Sequence, residues 1–163
     1  MKLVLDASAI LSGVDPPVAE ELLMPPLVEK ELGHAWARRK LAYLKEVRLR
    51  VVQPSMASLE TVRRATEGTG DDARLSGADM QVLALALETG ATILTDDYSI
   101  QNLAEILGIP YRPVVQKGIR EVLKWGYRCT GCKRELEKKA PECPVCGAPV
   151  RSFRKASGRK NRV

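Results

Sequence analysis

The sequence predicts an α/β sandwich built on a parallel sheet, followed by a small zinc ribbon. Three observations carry that reading. Short leucine-rich and β-branched runs alternate with segments of helical period over residues 1–116. Acidic residues stand at the ends of two of those runs, Asp6 and the pair Asp96–Asp97. All four cysteines fall between Cys129 and Cys146. Strands that alternate with helices pair in parallel, and function then gathers outside their carboxyl ends.

Lys2–Asp6 reads as the first strand. Pro16 and Pro17 open a short helical stretch, Val18–Leu23, which Pro25–Pro26 stops. A long helix is expected from Leu27 to Val47, because Val28, Leu32, Ala35 and Trp36 recur at helical spacing. Leu49–Gln53 is a second strand, and Ser55 N-caps a helix through Glu67. The glycine-rich segment 68–77 reads as a polar loop. Ser76 begins another helix, apolar from Val82 to Leu87 and closed by Gly90. Ala91–Thr95 is a strand, Tyr98–Leu107 a helix and Tyr111–Gln116 the last strand. This divides the chain into an α/β domain at 1–116, a linker at 117–127, a zinc ribbon at 128–153 and a basic tail at 154–163.

The 163 residues carry a formal charge of +6, unevenly spread. Residues 117–163 hold 14 basic and 4 acidic side chains, so the remaining body is net −4. A basic appendage on an acidic body points to a polyanionic partner. No apolar run approaches a membrane span, and the amino terminus has no signal-peptide pattern, so no membrane role and a cytoplasmic location are expected. The lone histidine, His34, excludes chemistry that needs two histidine ligands.

Cys129-Thr-Gly-Cys132 and Cys143-Pro-Val-Cys146 are two C-x-x-C pairs separated by ten residues. Each tight turn aims two thiolates at one ion, and two turns complete a tetrahedron. Four thiolates leave no open position, so the Zn²⁺ is structural, and it stabilises a stretch too small for a core of its own.

Four acids carry the sharper expectation. Asp6 and Asp97 follow strands, while Glu31 and Asp79 share the apolar faces of their helices. A carboxylate on a buried face is costly unless it is paired, protonated or bound to a cation. Singly, three have a local use: Ser76 to Asp79 has the capping-box spacing, Asp96 or Asp97 suits an N-cap, and Asp6 a turn, while Glu31 has only His34 at i+3 as a polar partner. Together, at one sheet edge, they form an anionic cluster that a divalent ion with oxygen ligands, Mg²⁺ or Mn²⁺, would neutralise. Ser8 and Thr95 are placed to orient a ligand carboxylate or simply to bond within local turns.

Leu5-Asp6-Ala7-Ser8, Val28-x-x-Glu31-Leu32, Asp79-x-x-Val82-Leu83-x-x-Ala86 and Thr95-x-Asp97 resemble, in order, the motifs of PIN-domain ribonucleases. With Thr95-Asp96-Asp97-Tyr98-Ser99-Ile100-Gln101-Asn102 and the ribbon behind it, nearly the whole chain resembles the Nob (Nin-one-binding) endonucleases in their compact archaeal form. The resemblance implies a PIN-like three-layer sandwich and a metal-dependent endoribonuclease. It implies cleavage of precursor small-subunit ribosomal RNA at its 3′ end, on the pre-ribosomal small subunit, during ribosome biogenesis. Asp6, Glu31, Asp79 and Asp97 would be the catalytic acids and Asp6, Asp79 and Asp97 the Mg²⁺ or Mn²⁺ ligands. Asp96 is the competitor for the fourth position, and Ser8 and Thr95 are supports.

An acidic catalytic face repels RNA, so affinity is expected from the basic module. Lys133, Arg134, Lys138 and Lys139 flank the zinc turns, and Trp125 and Tyr127 either stack on bases or pack between connector and ribbon. Trp36 with Arg38, Arg39 and Lys40 is a second candidate backbone contact, although the size of Trp36 favours the core. Two other readings compete: a toxin-like PIN ribonuclease acting on transfer or messenger RNA, and a non-catalytic RNA-binding assembly factor.

Overall fold

A computed structural model of the chain describes residues 1–69, 74–115 and 124–155. Part of the 68–77 loop, Gln116, most of the 117–127 linker and the tail from 156 onward lie outside the described residues. The elements run β1 (Lys2–Leu5), α1 (Ala7–Leu11), β2 (Glu21–Met24), α2 (Pro26–Glu31), α3 (Ala35–Val47), β3 (Leu49–Val51), α4 (Met56–Thr69), α5 (Gly77–Thr89), β4 (Thr92–Leu94), α6 (Tyr98–Leu107) and β5 (Tyr111–Arg112). The strands form one parallel sheet in the order β3-β2-β1-β4-β5, with Leu3 opposite both Leu22 and Thr92. Chain order reverses between β1 and β4. The crevice outside their carboxyl ends is therefore where such a sheet receives a ligand.

The core is what makes that edge rigid. Leu3, Val4 and Leu5 are wholly buried, as a strand covered on both faces requires. Helix α5 is buried nearly all round, from Ala78 and Gln81 to Ala86, and packs on β1, β4, α2, α4 and α6. Each fully buried leucine or valine there contributes about 1.5–3 kcal/mol. Buried Gln81 accepts from the Leu27 backbone N–H at 3.1 Å, satisfying a donor that the first turn of α2 leaves open.

Four expectations need correction. Val18–Leu23 is not helical: Leu22, Leu23 and Met24 form β2, buried between β1 and β3, where a short apolar run carries no period to read. The helix over 27–47 is two helices. Pro26 sits at the start of α2, where a missing N–H is harmless, Leu32 leaves the helical region with ψ 79°, and α3 restarts after His34. The restart resets the buried face to Ala37, Leu41 and Leu44, so Trp36 is 42% exposed and not core. The same break leaves Glu31 exposed on the last residue of α2, not on a buried stripe. Short helix α1 is an addition to the expected elements.

The second sheet is antiparallel, ordered β7-β6-β8, from β6 (Lys124–Cys129), β7 (Glu135–Leu136) and β8 (Val150–Lys155). It begins inside the segment read as linker and runs to Lys155, past 153. Across to the first domain, the Arg74 guanidinium lies 3.3 Å from the centroid of the Trp125 ring. No helix among the described residues is long and apolar enough to cross a membrane.

Candidate functional site

The crevice between β1 and β4 is organised by two hydroxyls. Asp6 follows β1, is 5% exposed and N-caps α1, taking the Ser8 N–H at 3.4 Å. Its Oδ2 also accepts from Ser8 Oγ and Thr95 Oγ1, both at 2.8 Å. Each hydroxyl spends its proton on Asp6 and accepts a backbone N–H in turn. Ser8 takes that of Asp96 and Thr95 that of Asp97, both at 3.0 Å. The ends of β1 and β4 are thereby locked, with Asp6 held by one oxygen. Among the described residues its Oδ1 accepts no hydrogen bond.

The same economy recurs at the other two acids. Asp97 N-caps α6, its Oδ1 accepting from the Ser99 and Ile100 amides at 2.6 and 3.3 Å. Asp79 completes the capping box of α5: its Oδ2 takes the Ser76 N–H at 2.7 Å and Ser76 Oγ takes the Asp79 N–H at 3.2 Å. Each carboxylate thus has one anchored oxygen and one without a donor among the described residues. Burial pushes the Asp79 carboxyl above the usual carboxylate range. Its bonds to Ser76 oppose that rise, and the charges of Asp97 and Asp6 add to it. All three residues serve as local caps, and the charges of Asp97 and Asp6 also act on Asp79.

Asp96 does different work. Its Oδ1 accepts from the Val114 and Val115 amides at 2.8 and 3.2 Å, and its Oδ2 from Val115 at 3.1 Å, tying the end of β4 to the segment after β5. Glu31, the last residue of α2, is exposed. The carboxylate oxygens are more widely spread than a tight cage. Among the described residues, only the four cysteines form a group of three or more such ligands within 4.8 Å of one another. Oxygen donors spread in this way are of the type that could hold a hard divalent cation keeping part of its water shell.

Two turns build the cysteine cluster. Cys129 ends β6 and Cys132 follows it, and Cys143 and Cys146 precede β8. The Sγ atoms of Cys129 and Cys146 are 3.3 Å apart, those of Cys132 and Cys143 3.7 Å. A disulfide needs about 2.05 Å. Tetrahedral bonds of about 2.3 Å from one zinc give edges of about 3.8 Å, close to what is seen. After each second cysteine the chain enters the left-handed region, at Gly147 (φ 71°) and Lys133 (φ 63°). Glycine does this without strain, whereas lysine carries a steric cost that the turn imposes. At Gly131 a Cβ would stand 2.9 Å from the Ala148 Cβ, so the first turn requires glycine as well. Amides aimed at sulfur prepare the thiolates: that of Ala148 is the main cause of the lowering of Cys146 to about 6, and those of Cys146 and Val145 lower Cys143. Cys132 goes the other way. The Arg134 amide favours its thiolate, but desolvation and the three neighbouring thiols outweigh it and push it to about 11.

The basic residues Lys133, Arg134, Lys138 and Lys139 are all exposed around this cluster. Tyr127 is 4% exposed in the middle of β6, so its ring is closed to a base, a correction to the stacking expected of it. Trp125 is half-buried with one ring face taken by Arg74. Arg74 is a residue that the sequence does not single out: an arginine beside a polar loop gives no sign of a distant indole.

A family model described as the PIN domain of ribonuclease matches residues 3–89. Endoribonuclease Nob1 of Pyrococcus abyssi is 38% identical over 153 residues, covering 93% of this chain and 92% of that protein. Ribonuclease VapC1 of Thermoplasma acidophilum is 39% identical over 151 residues, covering 91% and 76%. Among solved structures, VapBC-1 from nontypeable Haemophilus influenzae matches 71% of this chain and all of that one, with a TM-score of 0.52 at 16% identity, a likeness of fold.

Proposed function

This chain belongs to the PIN-domain ribonucleases, with the Nob1 endoribonucleases that carry a four-cysteine module, and on that premise we propose that it cuts precursor small-subunit ribosomal RNA at its 3′ end. The observation that carries the proposal is coverage. The likeness to the Pyrococcus protein named endoribonuclease Nob1 spans nearly both chains, cysteine module included, and not the PIN portion alone.

Asp6, Asp79 and Asp97 are the proposed ligands of Mg²⁺ or Mn²⁺, with Glu31 the fourth catalytic acid. A divalent ion bound there supplies a water of lowered pKa and offsets negative charge at the phosphate. The chain's own part is orientation. Ser8 and Thr95 fix Asp6 by one oxygen, the α6 amides fix Asp97 and the capping box fixes Asp79, so three oxygens without a donor among the described residues are held before any ligand arrives. Asp96 is assigned to structure. No cysteine is free to act as nucleophile if the cluster holds its structural Zn²⁺, and His34 is exposed at the start of α3. Hydrolysis therefore uses water, leaving a 5′-phosphate and a 3′-hydroxyl. The ribbon, as residues 124–155, contributes RNA affinity through Lys133, Arg134, Lys138 and Lys139.

The protein named ribonuclease VapC1 matches through the cysteine module too, so the toxin-like reading has an observation of its own. One experiment separates the three readings: incubation with a small-subunit RNA 3′-end fragment and Mn²⁺, with the cuts mapped. A single cut at the mature end supports the proposal. Scattered cuts favour the toxin-like reading, and binding without cutting favours the assembly factor.

A further inference from the structure

The −4 charge of residues 1–116 conceals a second asymmetry. Residues 34–50 hold six basic side chains and one acid, net +5, which leaves net −9 on the rest of that domain. This segment is α3 and β3. On α3, beside the buried stripe of Ala37, Leu41 and Leu44, lie Trp36 and Tyr43, 42% and 64% exposed. Arg39 stands between them, three residues from one and four from the other, so all three share one helix face. Lys40 on that face is engaged, donating to the Val14 carbonyl at 2.6 Å and pairing with Asp15 at 3.7 Å. Arg39 is exposed and makes no hydrogen bond or ion pair among the described residues.

Two exposed rings with a free guanidinium between them match neither core packing nor a solvated charged face. They match the surface that binds single-stranded nucleic acid: π-faces for bases, a cation for the phosphate linking them. Its place in the fold suits a polymer entering the crevice. The β1, β2 and β3 strands are parallel, so α2 and α3 carry the chain from the carboxyl-end edge back to the opposite edge. The first turn of α3, with Trp36, is the end nearer the acids. We propose that this exposed face of α3 is a single-stranded RNA track, with Trp36 and Tyr43 stacking on bases and Arg39 binding the intervening phosphate. This rests on the ribonuclease reading but not on which RNA is cut.

Trp36 and Trp125 are the only tryptophans. In Trp125→Phe, where the ring under Arg74 is kept aromatic, Trp36 is the sole indole, and its emission can be followed as a single-stranded oligouridine is added without Mg²⁺ or Mn²⁺. Saturable quenching is expected. Tyr43→Ala should weaken oligouridine binding about tenfold while Tyr43→Phe stays near the parent, and Arg39→Ala should weaken it and lower the salt dependence. Oligouridine binding that leaves Trp36 emission unchanged, or that is indifferent to Arg39→Ala and Tyr43→Ala, overturns the proposal and returns this face to a protein partner. Quenching with no cut at the ribosomal 3′ end keeps the track and removes the ribosomal substrate. A correct cut with no quenching does the reverse.

Discussion

The four thiols of the ribbon gather within 4.8 Å, whereas Asp6, Asp79 and Asp97 are each tied by one oxygen to a cap or a hydroxyl and left spread across a crevice. In the ribbon the ligands are the fold: β6, β7 and β8 are short, and a tetrahedral ion held by the four thiols would supply the cohesion that a larger core would. In the first domain the fold supports the ligands. A continuous core from Leu3 to Ile109 is stable enough to hold like charges near one another at a cost. On the proposed reading, one site would be filled once and the other would exchange water and phosphate. The difference predicts that damage to the two sites should separate cleanly into loss of structure and loss of chemistry.

The largest effect should come from Asp6→Asn. The substituted amide keeps an acceptor oxygen for Ser8 and Thr95, so circular dichroism and melting should change little. Loss of one anionic ligand should slow metal-dependent cleavage about a thousandfold while RNA affinity survives. Unchanged cleavage would remove Asp6 from the site. Cys143→Ser should behave in the opposite way. Cys143 is buried and supplies one of four donors, so zinc content should fall below one per chain and the amide protection of 124–155 should collapse. The first domain should still melt cooperatively. RNA binding should weaken and lose part of its salt dependence, because fewer phosphates are neutralised. A ribbon that stays protected without zinc would contradict the contrast between the two sites. Thr95→Val should have an intermediate effect. It leaves Asp6 one hydroxyl short and the Asp97 amide without its acceptor, and a tenfold to hundredfold loss of activity is expected, roughly that of removing a support from a metal ligand.

Legibility in the sequence follows the range of the interactions. The capping box of Ser76 and Asp79, the left-handed Gly90 after α5, the span of α6 and each C-x-x-C pair all depend on residues within a few positions of one another. Each is readable. Strand β2 is not, because a run buried on both faces has no period, and neither is the break at Leu32 and Gly33, because Val28, Leu32 and Ala35 keep helical spacing across it. That break moves Trp36 and Glu31 to the surface. The choice between Asp96 and Asp97 is closed to sequence reasoning for a different reason. Asp96 is held by amides eighteen and nineteen residues away, a pairing that exists only once β4 and β5 are neighbours.

The smallest effect bears most directly on whether the crevice is built at the expense of stability. Asp79 has its carboxyl raised by burial and by Asp97 and Asp6. A carboxyl raised in the folded state favours folding when protonated. That contribution is complete below the ordinary aspartate value and is lost as pH rises through the folded one. At neutral pH without divalent metal, ionised Asp79 therefore weighs against the fold. Asp79→Asn removes the charge and keeps an oxygen for the Ser76 N–H, so its Tm without divalent metal should exceed that of the parent at about pH 7. The gap should close as pH falls through the titration of Asp79. With excess Mn²⁺ the order should invert, because the ion stabilises only the form that binds it. A parent protein that melts above Asp79→Asn under both conditions would mean that the capping box outweighs the repulsion, and that these acids are held together by structure alone.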